Sequence, residues 1–378
     1  VKTADEQEEL KADGFIFLPS GGEGKKYFFF RRRSCIIKKM ANEHKTLAVA
    51  SGALIIFLVG LVLKLAKPVF FPFFLAIFFY FILSPALDLL TRLKIPKVIA
   101  LSLLVLLAFL SLYFLGALIF SRAKGFVASF PQYGEKIGQL LEWVSKKLGR
   151  EINETPWFWL QNFDLNRVAP LLLSSLNQFL SFFSRLVLIF VFLIFMLAGR
   201  GKLAVKIERS FSTARSRTLI AVIDKIDAQV QKYLVIKTGV SAISGLITGT
   251  VLALFGVNYA LIFGFLTFLL NFIPSLGSII AISFSTLMAV FQFGRFFPAL
   301  WILAILVIAD ILTANLIEPK LMGQGLNLSP LAVLFSLLFW AWLWGIPGMI
   351  LAVPLLAIVK IIFDNIPSLR FIAELISK

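Results

Sequence analysis

Charged and amide groups are scarce inside the apolar stretches of this 378-residue chain, so the few found there are the first candidates for chemistry. Asp310 is the only carboxylate well inside a segment long enough to cross a bilayer, 297–317. A charge at that depth is costly, usually faces the bundle interior and marks an ion or proton route. Thr313 follows one turn on, near the same helix face, while Asn315 and Glu318 are three apart and neighbours. Asn271, ahead of Pro274, adds an amide. Asp310, Thr313, Asn315, Glu318 and Asn271 therefore form the candidate substrate and coupling set, with Glu318 near the interface and paired with Lys320. The competing reading makes Asp310 a hydrogen-bonded structural group capping a hairpin tip.

Other chemistries are poorly supplied. One cysteine, Cys35, and one histidine, His44, exclude an intramolecular disulfide, a multi-cysteine metal site, HExxH and a Ser-His-Asp triad. GxxxxGK[ST] is absent, so ATP is not the direct energy source. The expectation is no enzyme, no metal and no cofactor, with a proton or monovalent cation as coupling ion. A net charge of +17 would suggest nucleic acid in a soluble protein. Here 59% of residues are hydrophobic, 15% are charged and mean hydropathy is +0.92. Soluble domains run near 45–50% apolar and about 25% charged. The chain reads as a multi-span membrane protein, whose Lys and Arg collect in cytoplasmic loops. No nucleic-acid partner is expected.

The elements that must position these residues are helices. Ten apolar segments run through 47–66, 69–87, 98–120, 179–198, 234–256, 257–273, 279–293, 297–317, 328–344 and 346–363. The fold class is all-α: a polytopic helical membrane protein of about eight spans, or six spans plus two re-entrant hairpins, with interfacial amphipathic helices. Residues 1–46 are polar and basic, either a disordered tail or a start-site artefact with translation beginning at Met40. Basic residues before the first span, at Arg92, Lys94 and Lys97, and across 199–237 place both termini in the cytoplasm. Region 121–178 then falls outside. There Ile137, Leu140, Leu141, Val144 and Leu148 predict an amphipathic helix, anchored by Trp157, Phe158 and Trp159. Ile207, Phe211, Leu219, Val222, Ile223, Ile226 and Val230 predict a similar cytoplasmic segment over 199–233. Residues 47–198 thus form an N-terminal membrane part, 234–363 a C-terminal transport part and 364–378 a cytoplasmic tail.

Segments 257–273 and 279–293, and again 328–344 and 346–363, are closely joined pairs with one grammar. Each opens on Gly-x-Asn (Gly256-Val257-Asn258; Gly325-Leu326-Asn327) and breaks at Ile-Pro followed closely by Gly. The charge map starts the first pair outside and the second inside. Two interrupted units of opposite orientation are the sequence pointer to a transporter binding site. Pro274, Gly277, Pro347 and Gly348 are the predicted hairpin tips and gating positions, against the alternative of four short ordinary spans. Gly245 and Gly249, four apart on 234–256, predict close helix packing.

These residues resemble the autoinducer-2 exporter family of bacterial membrane transporters over roughly 47–365. The resemblance rests on Pro72-Phe73-Phe74-Leu75-Ala76, Tyr80 to Pro85, and Ile95-Pro96-Lys97. Its most specific part is Asn315-Leu316-Ile317-Glu318-Pro319-Lys320-Leu321-Met322-Gly323 with Leu328-Ser329-Pro330, followed by Trp344 to Met349 and Val353-Pro354-Leu355. It implies an all-helical, oligomeric inner-membrane permease of about eight spans that exports autoinducer-2 or exchanges Na⁺, Li⁺ or K⁺ for protons. The chain departs from the family pattern at Thr313, where an acid is expected.

The expected function is secondary-active, proton-coupled export of a small polar solute such as an autoinducer-2-type signal. A monovalent cation/proton antiporter and a non-transporting membrane scaffold are the alternatives. Expected partners are the lipid bilayer, the solute or cation, and further copies of the chain in a homo-oligomer built through 47–198.

Overall fold

The computed structural model describes residues 60–148 (beyond 129 as backbone, with Lys146), 186–199, 201–323 and 326–378, together with Ser51, Gly52, Leu54, Leu58 and Ser174. Most of the predicted span 47–66 and the Trp157-Phe158-Trp159 cluster lie outside them. The chain divides into residues 1–62 and 63–378, and every helix named below belongs to the second unit.

Apolar runs become helices because a helix satisfies all its backbone polar groups internally, as hydrocarbon demands. In order these are α1 Lys67–Arg92, α2 Lys97–Leu148, α3 Leu186–Gly199, α4 Lys202–Ser210, α5 Thr213–Leu254, α6 Ala260–Leu270, α7 Leu276–Phe293 and α8 Phe296–Leu312. A π-turn at Thr313–Ile317 leads into α9 Glu318–Met322. α10 Pro330–Trp344, α11 Ile346–Asp364, a 3₁₀ turn Pro367–Leu369 and α12 Arg370–Ile376 complete the chain. Among the described residues six stretches are long and apolar enough to span a membrane, and a seventh arises if α3 and α4, bent by 63°, count as one. Among the described residues there is no strand, only an isolated bridge between Leu328 and Ser377. The protein is a polytopic helical membrane protein.

Two predicted boundaries move. α2 does not end near 120 but continues unbroken to Leu148, so the predicted outside helix is an extension of the span before it. Likewise the segment after Phe211 is no separate surface helix, because α5 runs from Thr213 straight into the span. At 42 residues it is about 63 Å long, twice a bilayer core of about 30 Å. In α5 the change of polarity falls where no Pro or Gly stands, and α2 passes through Pro131 and Gly134 without ending, so polarity marks the solvent rather than the end of a helix. Only α4 stands apart as a short amphipathic helix. The 364–378 tail is also built in: Ser329 N–H donates to the Ile376 carbonyl at 2.8 Å.

The two Pro/Gly-broken pairs are antiparallel hairpins. α5 ends in a Schellman turn at Gly256 (φ 70°), with Val257 N–H donating to Leu252 O at 2.8 Å and Gly256 N–H to Ala253 O at 2.9 Å. The chain re-enters as α6, whose 11 residues extend about 16 Å, half a bilayer core. It turns at Asn271–Ser275 and returns as α7. Gln292, near the end of α7, closes the base by accepting from Asn258 N–H at 2.6 Å and donating to Gly256 O at 2.8 Å. In the second hairpin Ser329 caps α10 by accepting from Ala332 N–H. Lys360 on α11 ties the base by donating to Asn327 O at 3.0 Å. Both tips need glycine. A Cβ at Gly277 would strike the Leu270 carbonyl, and one at Gly348 the Trp340 carbonyl. The hairpins pack on one another through Leu270, Ile273 and Ala281 of the first and Leu337 and Ala352 of the second. Trp344, at the second tip, packs among Phe71, Phe74 and Trp340.

Candidate functional site

α5 carries one buried stripe at alternating three- and four-residue spacing: Val230, Leu234, Lys237, Ser241, Gly245, Thr248 and Leu252. Its middle is polar, which in a membrane helix requires partners from neighbouring elements. Three elements supply contacts along it.

The first is the π-turn. Lys237 is only 4% exposed, yet its ammonium donates to both oxygens of Glu318, at 2.8 and 2.9 Å. Glu318 keeps 22% of its side chain exposed, and the phenol of Tyr233, one turn before Lys237, lies within electrostatic reach of its carboxylate. Lys237 is therefore the partner of Glu318, and the expected pairing with Lys320 is not formed. Lys320 is three-dimensionally a surface residue and stays exposed. The π-turn also separates Asn315 from Glu318. An extra residue in the turn rotates them apart, leaving Asn315 exposed and Glu318 turned to α5. Pro319 has no N–H, so this turn is also short of one helical hydrogen bond.

The second element is the tip of the first hairpin. Asn271 Nδ2 donates to Ser241 Oγ at 3.2 Å, one turn along from Lys237. Its carbonyl oxygen and the Ser241 hydroxyl hydrogen take no further partner among the described residues, leaving one acceptor and one donor. Ser241 lies 13 residues, or about 20 Å, before the end of α5, so the tip docks on the body of that helix rather than at its end.

The third is α6 itself. Gly245 and Gly249 face Gly264, and Cβ atoms built at Gly245 and Gly264 would lie 2.7 Å from the carbonyl oxygen of the other. The helices thus pack backbone to backbone, the kind of contact that holds membrane helices together in the absence of a hydrophobic drive. Thr267 and Thr313 satisfy their hydroxyls on carbonyls one turn earlier, at Phe263 and Ala309. Ser244 Oγ, also on α5, is buried without a hydrogen-bond partner among the described residues.

Of the sequence candidates, Asn271 and Glu318 converge on α5 one turn apart. Thr313 is buried at the head of the π-turn. Asp310 is half-buried and continues the buried stripe Ala299, Ile302 and Leu306 of α8. Its carboxylate makes no hydrogen bond or ion pair among the described residues, and no bond joins it to Asn271 or Glu318. Pro274 lies in the first turn and Pro347 in the opening turn of α11. Lys237 and Ser241 were missed. Lys237 reads in sequence as the last charge of a basic loop, and only its place on the apolar stripe of α5 distinguishes it. Among the described residues no group of His, Cys, Asp or Glu is arranged to hold a metal ion.

Residues 52–368 match the model of a family described as AI-2E family transporter. The AI-2 transport protein TqsA of Escherichia coli K12 is 33% identical over 334 residues, covering 88% of this chain and 95% of that protein. A presumed transport protein of Haemophilus influenzae is 35% identical, over 86% of this chain and 94% of its own. Another from Borreliella burgdorferi is 31% identical, over 81% of this chain and 84% of its own.

Proposed function

Starting from a chain that belongs to the AI-2E transporter family, we propose a secondary-active transporter of the bacterial inner membrane that exports a small polar solute of the autoinducer-2 type, coupled to protons. The observation that carries this reading is the first hairpin's tip, docked through Asn271 on Ser241 at mid-depth of α5. Irregular backbone at that depth is tolerated only against protein or a water-filled path, and opposed broken helices are how transporters build such sites. The solute passes along the polar stripe of α5, between Asn271 and Glu318. By the charge map the basic start of α5 is cytoplasmic, which puts Lys237 and Glu318 at the inner end and Thr248 toward the outer one. Asp310 is the coupling carboxylate. Protomers assemble through residues 47–198, each with its own path.

Monovalent cation/proton antiport is the second reading, favoured by the carboxylate of Asp310, which no described residue neutralises. Proteoliposomes separate the two. Labelled autoinducer-2 should move down an imposed pH gradient at a rate at least tenfold above empty vesicles, with Na⁺, Li⁺ and K⁺ leaving the gradient intact. Dissipation of the gradient by those cations without solute flux supports antiport. Neither flux would refute both.

A further inference from the structure

A part-buried ion pair joins elements 81 residues apart, where the helix changes from α to π bonding. Lys237 lies on a rigid, continuous helix, whereas Glu318 hangs on a π-turn followed by Pro319. The π-turn replaces the α-helical pattern with longer-period bonds, such as Glu318 N–H to Thr313 O, Pro319 supplies no donor, and the ammonium ties the Glu318 side chain to α5. The pair also lies one turn from Ser241 and Asn271, on the cytoplasmic side of them by the charge map. Its strength depends on dryness. The same two charges attract about fourfold more at an effective dielectric constant near 20 than in water near 80. Water that enters weakens the pair, and a weakened pair admits water, so the closure has two states rather than a continuum.

Resting on the transport reading above, we propose that the Lys237–Glu318 pair is the cytoplasmic closure of the solute path, with Lys237 the positioning residue that clamps Glu318 and the π-turn against α5. The neighbouring charged and titratable groups are Tyr233 and Lys232 on α5 and Lys320 on α9. Of these, Tyr233, one turn before Lys237, lies within electrostatic reach of the Glu318 carboxylate. Lys232 Nζ instead lies toward Gly323, 3.8 Å from a Cβ built there.

The test uses the full chain with Cys35→Ser and Ser241→Cys, labelled by an impermeant maleimide in inside-out and right-side-out vesicles. In this parent, labelling from the cytoplasmic face should be slow. Lys237→Met and Glu318→Gln should each accelerate it at least tenfold from that face alone. Lys237→Arg, and the exchange Lys237→Glu with Glu318→Lys, should return it to the parental rate, which a merely structural role would not require. Should the single variants fail to accumulate, Lys237→Gln with Glu318→Gln leaves no buried unpaired charge and should label fast. Unchanged labelling in the neutral variants, acceleration from both faces, or an exchange variant as fast as Lys237→Met would overturn the proposal. A chain with Cys35→Ser alone that carries no autoinducer-2 in proteoliposomes would instead refute the transport reading, since the labelling needs no flux.

Discussion

Gly264→Ala offers the clearest physical test of how the first hairpin is held. The new Cβ would sit 2.7 Å from Gly245 O, 3.1 Å from Gly249 Cα and 3.2 Å from Gly249 N, all backbone atoms that cannot rotate away. Reaching an ordinary contact of 3.4 Å requires α6 and α5 to part by 3.4 minus 2.7, about 0.7 Å. A radial gap of that size forfeits about a quarter to a half of the dispersion energy of each pair it opens. It would also stretch the Asn271–Ser241 bond from 3.2 Å to about 3.9 Å, beyond hydrogen-bonding range. Overpacking of this kind costs about 1–3 kcal/mol and the lost bond about 1 kcal/mol more. The expected destabilisation is therefore about 2–4 kcal/mol. Gly239→Ala supplies the control, on the neighbouring helix α5 with nothing within 4 Å of its Cβ. It should be neutral or stabilise by up to about 1 kcal/mol. Reversible unfolding in mixed detergent micelles, titrated with sodium dodecyl sulfate, measures both. A Gly264→Ala protein as stable as Gly239→Ala would refute the backbone-to-backbone contact.

Asp310→Asn preserves shape and removes the charge, and should abolish pH-driven flux while leaving expression and assembly near wild type; wild-type pH dependence in a folded variant would make Asp310 structural. Lys237→Met leaves the Glu318 carboxylate unpaired and should cost toward the lower end of about 3–5 kcal/mol, because Glu318 retains some exposure to water. The same micelle titration reads it, with Lys237→Met/Glu318→Gln recovering part of the loss. Gln292→Leu removes both bonds closing the base of the first hairpin. Each is solvent-accessible and costs about 0.5–1.5 kcal/mol, so amide exchange at Asn258 should quicken by about threefold to tenfold.

The hairpins were legible because Pro and Gly interrupt an apolar run in a way that few structures explain, and the Ile-Pro pattern at 273–274 and 346–347 recurs with opposite charge context. Helix continuity was not. The polar onset after Phe120 and the basic run before Tyr233 read as boundaries, yet α2 and α5 pass through both, since water supports a helix as well as lipid does, and in α2 even Pro131 does not end it. The site was half legible for a related reason. Asn271 and Glu318 stand out as polar groups in apolar surroundings. Their partners on α5 do not, because Ser241 is an ordinary helix residue and Lys237 ends a long basic stretch of sequence. The π-turn is a one-residue register change that no pattern of spacing reports, and it decides that Glu318 rather than Asn315 faces α5.

On the transport reading, solute passes where the first hairpin's tip meets α5. Cysteines at Ser241 and Asn271, in a chain with Cys35→Ser, test it directly in proteoliposomes. Cross-linking these positions should stop autoinducer-2 flux, and reduction should restore it. Efficient cross-linking with flux at the uncross-linked rate would contradict the claim.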